Sequence, residues 1–445
     1  MSFSTDKQTL DDLNIFGRHG SDSLYNMFNR CSTRGGSGLL EEMFNYPLAA
    51  ERDIVQRLSI FRYFCTNEVS FPFDSMNFDP VETYLSNTDA RSKLVHEEVS
   101  LGNRLENLIS IDPVKAIIYN GIKALVGLLS TLSQFTTTHF DFAAYDSERE
   151  DIKRLLATIT FQTIWKNGKL KFSHNDMVEI DALLRFKYEK EVRKLLHYMY
   201  LLDIYTSIRL IVNERGLVFP ELCGKHTWQV KMDGVFHPQV KEAKGNNIEV
   251  TAGGNVLFLT GANMAGKSTF MKSFSIALYL AHMGFPVPAT KMEFSVLDGI
   301  YTTINLPDNL GMGASHFYAE VLRVKKIAQE LSARKNLLIV FDELFRGTNV
   351  KDAYEATIAV TKAFATKTSS LFVISTHIIE AAPVLAEQCT NVRFLYLPTK
   401  MEGNKPIYTY QLGEGVTDDR HGMIIVRNEG ILDILDDGLK ANYNA

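Results

Sequence analysis

The feature that most constrains this chain is a glycine-rich loop between an apolar segment and a helix-forming segment. The apolar segment VLFLT is followed by GANMAGKST over residues 261–269, and the letters FMKSFSIALYLA come next. The loop fits the pattern GxxxxGK[ST], in which backbone N–H groups and a helix N-terminus surround phosphate oxygens. We therefore expect an α/β fold here, with ligand-binding loops at the carboxyl ends of parallel strands.

The same loop offers specific groups to a bound nucleotide. The Lys267 side chain supplies a cation to the β and γ phosphates, and the Ser268 hydroxyl supplies an oxygen to Mg²⁺. A match to this short pattern also arises at purely structural turns, but here a strand and a helix flank the loop in the required order. Nucleotide contacts are expected from the whole loop, which consists of Gly261, Ala262, Asn263, Met264, Ala265, Gly266, Lys267, Ser268 and Thr269.

Two further strand-like segments end in residues that suit phosphoryl transfer. Asp342 and Glu343 follow LLIVF, and His377 follows SLFVIST. We predict that Asp342 reaches the Mg²⁺ shell, that Glu343 orients or deprotonates the attacking water, and that His377 senses the γ-phosphate. Taken alone, an acidic pair at a strand end also caps helices, and a single histidine is usually structural.

Composition excludes several classes of protein. Forty-seven Lys and Arg face 52 Asp and Glu, so the net charge of −5 gives no bulk attraction to phosphate polymers or anionic membranes. The four cysteines form no CxxC pair, so neither a zinc site nor a redox dithiol is expected. The amino-terminal letters MSFSTDKQTLDD do not resemble a signal peptide, and charged residues or prolines interrupt the apolar runs. These features predict a cytoplasmic protein that does not span a membrane.

The amino-terminal half has the periodicity of helices. Between about residues 176 and 214, one apolar stripe recurs at helical spacing, which predicts a long buried helix face. The composition changes near residue 228 to short β-branched runs separated by helical segments, as in a mostly parallel sheet. We predict a helical domain over residues 1–225 and an α/β domain over residues 226–445. The stripe consists of Val192, Leu195, Leu196, Met199 and Leu202.

In order and spacing, four motifs of the α/β part resemble the ATPase domain of the MutS family of DNA mismatch-repair proteins. They are GANMAGKST, DNLGMGASHF, VFDELFRGTNVKDA and ISTH. The amino-terminal segments TLDDLNIFG and SLYNMFNRCSTRGGSGLLEEMFNYPL, with LLDIYTSIRLIVNERGLVFPEL, resemble the start and end of that family's core-and-lever domain. The resemblance implies a mostly α N-terminal lever/core domain followed by an α/β P-loop NTPase domain of the ABC-related MutS type.

The resemblance also implies cofactors, a partner and further site residues. Members of the family use ATP and Mg²⁺, and two ATPase domains pair so that a serine completes the partner's nucleotide site. Ser315 occupies the matching position, and His237 matches a family histidine near the nucleotide. Asn247 matches an asparagine that follows the aromatic residue stacked on adenine, although the stretch AKGNN contains no aromatic residue. The mismatch-recognition and connector domains of the family are expected to be absent.

Three functions remain open at this stage. The first is an ATP-hydrolysing, DNA-associated MutS-like homodimer that acts on duplex or branched DNA, in mismatch repair or a related process, with repair-protein partners. The second is a nucleotide-gated protein-assembly factor without direct DNA binding, which the pI of about 6.2 favours. A small-molecule kinase is disfavoured because Glu343 suits water activation. A cationic cluster speaks against the assembly factor, although such a cluster is more often a solvated mixed-charge face than a DNA contact. It consists of Arg185, Lys187, Lys190, Arg193 and Lys194.

Overall fold

The structure is a computed structural model, and its fold has an α-rich amino-terminal part and an α/β region with mixed sheets. The residues that it describes are 2–17, 22–96, 113–137, 143–159, 172–224, 228–304, 316–333, 336–402, 405–417, 430–431 and 434–435.

Helices dominate the amino-terminal part. They are α1 (Lys7–Asp12), α2 (Leu24–Phe28), α3 (Arg34–Asn45), α4 (Glu51–Thr66), α5 (Phe78–Ser86), α6 (Pro113–Thr137), α7 (Ala143–Thr158), α8 (His174–Asp181) and α9 (Glu189–Arg215). Short 3₁₀ turns at Ser75–Asn77 and Ala90–Ser92 flank α5.

The long helix predicted from about 176 to 214 is interrupted. Helix α8 passes into a π-helical turn, Ala182–Lys187, before α9 begins. The predicted apolar stripe is confirmed, because its five side chains on α9 are all at most 5% exposed. Helix α9 ends where Gly216 adopts a φ of +62°, a backbone conformation that residues with a Cβ rarely take.

The α/β region begins near residue 221. Its strands are β1 (Glu221–Leu222), β2 (Gln229–Val235), β3 (Asn246–Thr251), β4 (Val256–Gly261), β5 (Lys291–Phe294), β6 (Gly299–Thr303), β7 (Leu337–Phe341), β8 (Leu371–Ser375), β9 (Val392–Leu397), β10 (Thr399–Glu402), β11 (Lys405–Tyr408) and β12 (Gly413–Glu414). Its helices are α10 (Lys267–His282), α11 (His316–Ser332), α12 (Val350–Ala365) and α13 (Ala381–Gln388).

Among the described residues, six strands form the main sheet in the order β12-β9-β4-β8-β7-β6. All neighbours are parallel except β12 and β9. Strands β7 and β8 are buried along their whole length, which explains their uninterrupted apolar sequences. Because β4, β8 and β7 are adjacent and parallel, the loops that follow them lie at one edge of the sheet.

A second sheet has the order β1-β5-β2-β3, and β10 and β11 form a separate hairpin. In β3 the buried and exposed residues alternate, starting with buried Asn246 and exposed Asn247. This alternation is the normal consequence of the two-residue period of a strand.

The chain divides into two compact units. One unit comprises Met1–Met27, Phe44–Leu58 and Val212–Ala445, and the other comprises Phe28–Met43 and Ser59–Ile211. The predicted boundary between a helical domain and an ATPase domain at residue 225 stays a prediction.

Within the first unit, amino-terminal residues cover β6, the last strand of the main sheet. The Ser4 backbone N–H donates to the Asp298 carbonyl at 2.7 Å. The Asp12 carboxylate accepts from the Thr302 hydroxyl and from the Ile304 backbone N–H, each at 2.8 Å. These contacts satisfy polar groups that an open sheet edge would otherwise leave unpaired.

Two described helices, α6 and α9, are long and apolar enough to cross a membrane by length and composition. In their most apolar windows, 50% of the α6 residues and 61% of the α9 residues are buried inside the fold. Core helices of globular proteins have the same property, so these helices are weak evidence for a membrane span.

His282, the last residue of α10, is fully buried and joins two parts of the first unit. Its Nδ1–H donates to the Leu278 carbonyl, and its Nε2 accepts from the Leu297 backbone N–H, each at 2.8 Å. Burial lowers the pKa of His282 to about 4. The imidazole is therefore neutral at pH 7, and protonation of Nε2 would remove its bond to Leu297.

We expect stability to decrease as the pH falls from 6.5 towards 4. The unfolded chain, with an ordinary histidine pKa of 6.5, takes up this proton before the folded chain does. His282→Leu should lower stability at pH 7 by about 1–3 kcal/mol, because the Leu297 N–H loses its acceptor. It should also flatten the pH dependence, measured as urea midpoints of both proteins across this range. Parallel pH profiles would contradict the prediction.

Candidate functional site

The glycine-rich loop connects β4 to α10 at the carboxyl edge of the main sheet. Gly261, at the end of β4, has a φ of +146°, and Gly266, before the first helical residue, has a φ of +102°. A Cβ added to Gly266 would lie 3.0 Å from Cδ1 of Tyr410. Glycine at position 266 therefore meets both a conformational and a steric requirement.

Lys267 lies inside this loop. Its Nζ donates to the carbonyl oxygens of Gly261 at 2.8 Å and Ala262 at 3.2 Å, and the residue is buried. Burial lowers the pKa of Lys267, while the charges of Asp342 and Glu343 oppose that shift. The loop's own carbonyls thus hold the ammonium group in place.

The rest of the loop is more open. Met264 is 73% exposed at a φ of +69°, and Asn263 is also exposed, whereas Ala265 is buried. Thr269 is exposed on the first turn of α10. The loop therefore presents backbone and side chains outwards around a buried lysine.

Ser268 and Asp342 meet across 74 residues of sequence, since the Ser268 hydroxyl donates to Asp342 Oδ2 at 2.5 Å. A hydroxyl beside a carboxylate is a donor set that suits Mg²⁺, which usually takes few protein ligands and completes its shell with water and phosphate oxygens. In the described part of the chain, no group of three or more His, Cys, Asp or Glu residues could hold a metal. A site built only from side chains of these types is thus not present there.

Glu343 and His377 also meet at this edge. Glu343 has a φ of +56°, and its carboxylate accepts from His377 Nε2 at 2.9 Å and from Arg346 Nη1 at 3.2 Å. The bond from His377, followed by that from Arg346, lowers the pKa of Glu343 to about 2, against the opposing effect of burial. The carboxylate is therefore ionised at neutral pH. Arg346 lies in the stretch VFDELFRGTNVKDA but was not among the predicted site residues.

A cavity of about 480 Å³ lies beside the loop. Its lining includes His237, Asn246, Gly266, Phe270 and Tyr410. Burial, with a smaller effect of the Lys272 charge, lowers the pKa of His237 to about 4, so this imidazole is neutral. The histidine predicted near the nucleotide therefore lines a cavity that adjoins the loop.

Asn247 lies elsewhere, because its Oδ1 accepts from the Gly234 backbone N–H at 2.8 Å and its side chain is exposed. The neighbouring Asn246 lines the cavity instead, as the alternation along β3 requires. Tyr410 was also not among the predicted site residues, and its sequence signal is an aromatic residue just ahead of GEGVTDD. Ser315 lies outside the described residues.

Comparisons with known proteins find similarity to MutS sequences. Residues 257–437 match the family MutS domain V. The DNA mismatch repair protein MutS of Persephonella marina is 29% identical over 235 residues, which are 52% of this chain and 26% of that protein. The MutS protein of Bacillus cytotoxicus is 30% identical over 232 residues, or 51% of this chain and 25% of that protein.

The MutS protein of Anaplasma phagocytophilum is 28% identical over 225 residues, which are 50% of this chain and 27% of that protein. The part of the α/β region over residues 257–437 is thus similar to MutS domain V. The similarity to the MutS family that the motifs predicted is borne out over about half of the chain. It spans about a quarter of the length of the relatives that it matches.

We expect His377→Ala to raise the pKa of Glu343, because the His377 hydrogen bond is the largest cause of its low value. A carboxyl ¹³C NMR titration between about pH 3 and 7 should then show an inflection for Glu343 that the unchanged protein lacks. Arg346→Ala is the matched comparison and should raise this pKa less. A larger pKa increase in Arg346→Ala than in His377→Ala would show that Arg346, and not His377, contributes most to the low pKa of Glu343.

Proposed function

We propose that this chain is a Mg²⁺-dependent ATPase of the P-loop type. The observation that carries the proposal is the meeting of Ser268 with Asp342 and of Glu343 with His377 at the sheet edge that carries Lys267. Phosphoryl transfer needs mainly positioning and charge neutralisation, and these residues have the chemistry for both.

Each residue has a role in the proposed reaction. The loop N–H groups and the amino terminus of α10 bind phosphate oxygens, and Lys267 neutralises charge on the β and γ phosphates. Ser268 and Asp342 would hold Mg²⁺, which neutralises phosphate charge when bound. Glu343 is ionised and accepts a hydrogen bond from the attacking water, while His377 orients that carboxylate.

The cavity beside the loop would receive the nucleoside. Tyr410 lies against Gly266 and offers a flat aromatic wall next to the phosphate-binding loop. Aromatic rings stack on nucleobases with little dependence on the base. Tyr410 thus supplies the aromatic surface that the stretch AKGNN lacks.

We expect Lys267→Ala to abolish ATP binding and Glu343→Gln to preserve it while stopping turnover. The lysine cation contributes to both ground and transition states, whereas the carboxylate acts on the attacking water. The measurements are ATP affinity by calorimetry and phosphate release, with Arg91→Ala, an exposed substitution in the other unit, as the control. Near-normal turnover by Glu343→Gln would remove Glu343 from the catalytic role.

We propose further that two chains pair through their α/β regions, with Ser315 completing the partner's site. Apolar side chains near the phosphate edge support this proposal. Met264 in the loop is 73% exposed, and Val350, the first residue of α12, is 79% exposed. A partner that covers them would remove apolar surface from water.

DNA binding is the proposed use of the ATPase cycle, since the matched relatives are named DNA mismatch repair proteins. The cationic cluster of the second unit offers less unpaired positive charge than its sequence indicates. Arg185 is buried against Asp181, Arg193 pairs with Glu189 at 2.8 Å, and Lys194 pairs with Asp151 at 2.6 Å.

Lys187 and Lys190 are exposed and have no carboxylate partner within the described parts of the chain. Two lysines can contact only a few phosphates, and phosphate contacts do not distinguish one base sequence from another. We therefore propose that the protein binds duplex or branched DNA through phosphates, and we separately propose a cytoplasmic location. The competing function is a nucleotide-gated assembly factor that contacts other proteins, which the net charge of −5 and the three neutralised cations favour.

We expect DNA binding to depend weakly on salt and not to distinguish a mismatch from a matched duplex. Each phosphate contact adds about 0.9 to the slope of log affinity against log salt, so two contacts give a slope near 2. Replacing Lys187 and Lys190 with Glu should weaken binding to both duplexes equally, measured by fluorescence anisotropy.

The matched comparison is Arg193→Glu with Lys194→Glu, which removes cations that already have partners and should weaken binding less. A tenfold preference for mismatched DNA, about 1.4 kcal/mol, would contradict the prediction. Absence of DNA binding by the unchanged dimer would favour the assembly factor.

A further inference from the structure

Tyr410 forms a wall of the cavity beside the glycine-rich loop, yet no strand holds it. It lies between β11 and β12, has a φ of +56°, and is 47% exposed. An aromatic ring in such a connection keeps a fixed position only if other contacts hold its backbone.

Asn246, the first residue of β3, supplies those contacts. Its Nδ2 donates to the Tyr410 carbonyl at 3.0 Å, and its Oδ1 accepts from the Leu412 backbone N–H at 2.7 Å. The side chain is only 7% exposed. The Asn246 amide thus hydrogen-bonds to the backbone on both sides of Gln411. It joins the second sheet to the segment that leads into β12.

The Asn246 amide has little capacity left for a ligand. Its oxygen accepts from Leu412, and its nitrogen donates to Tyr410 and, at 3.4 Å, to the Lys244 carbonyl. Because the amide oxygen and nitrogen of Asn246 are already hydrogen-bonded, Asn246 would affect a ligand in the cavity indirectly, through the backbone segment that it holds. Asp or Ala at this position could not reproduce both bonds.

We propose that Asn246 is a positioning residue for nucleoside binding, because it fixes the Tyr410 wall of the cavity next to Gly266. The proposal rests on the proposed nucleotide site and assigns to Asn246 the affinity for the nucleoside, as distinct from the phosphates. Phosphate affinity belongs to the loop and Lys267, whose contacts do not involve Asn246.

The test compares two ligands on the full chain, Mg²⁺-ATP and Mg²⁺-tripolyphosphate, by isothermal calorimetry. Asn246→Ala should weaken ATP binding about tenfold, or 1.4 kcal/mol, and leave tripolyphosphate binding unchanged. Tyr410→Ala should weaken ATP binding by a similar factor. The double variant should lose no more than Tyr410→Ala alone, because Asn246 acts through Tyr410.

Two further variants separate positioning from folding. Glu249→Ala changes the exposed face of the same strand, where Glu249 pairs with Lys231, and should leave both affinities unchanged. Asn246→Asp keeps the acceptor for Leu412 but loses the donor to Tyr410, so its ATP affinity should lie between those of the unchanged protein and Asn246→Ala.

The outcomes distinguish this inference from the function on which it rests. If the unchanged protein binds tripolyphosphate but binds ATP no more tightly, the cavity is not a nucleoside site and the inference is overturned. If it binds neither ligand, the proposed ATPase fails and the inference fails with it. If Asn246→Ala weakens both ligands equally, or if losses in the double variant add, Asn246 does not act through the Tyr410 wall.

Discussion

The hydrogen bond between Ser268 and Asp342 is the contact on which the rest of the site depends. It closes 74 residues of chain at a distance of 2.5 Å, and it forms only because β4, β8 and β7 are adjacent, parallel and in register. Register matters because a shift of one residue would turn alternate side chains to the opposite face of the sheet. Strands β7 and β8 are buried throughout and β4 is buried up to Gly261, so both faces of these strands are covered.

Hydrogen bonds hold the charged side chains at this edge of the sheet in fixed positions. Lys267 is buried against loop carbonyls, and Glu343 is held ionised between His377 and Arg346. In contrast, burial keeps His237 neutral beside the cavity. The site thus combines fixed charges near the loop with a neutral imidazole in the lining of the cavity.

Particular residues show how far sequence reasoning reached. The strand, loop and helix around residues 261–269 were predicted and are confirmed, as is the buried stripe on α9. The predicted similarity to the MutS family is borne out over about half of the chain. The choice between Asn246 and Asn247 was also open to prediction, since Ile248 and Val250 indicate the buried face of β3. The π-helical turn at Ala182–Lys187 carries no comparable signal, because helical periodicity continues through it.

The sequence by itself determined the local chemistry: a glycine-rich loop, a lysine and a hydroxyl on one helix, and acidic and imidazole groups after two apolar strands. Those features are local because turn conformation and strand burial depend on neighbouring residues. Tertiary structure alone decided that Lys194 pairs with Asp151, and that Asn246 holds Tyr410 from 164 residues away. Such contacts join segments whose distance in sequence is unrelated to their distance in space, so no local pattern encodes them.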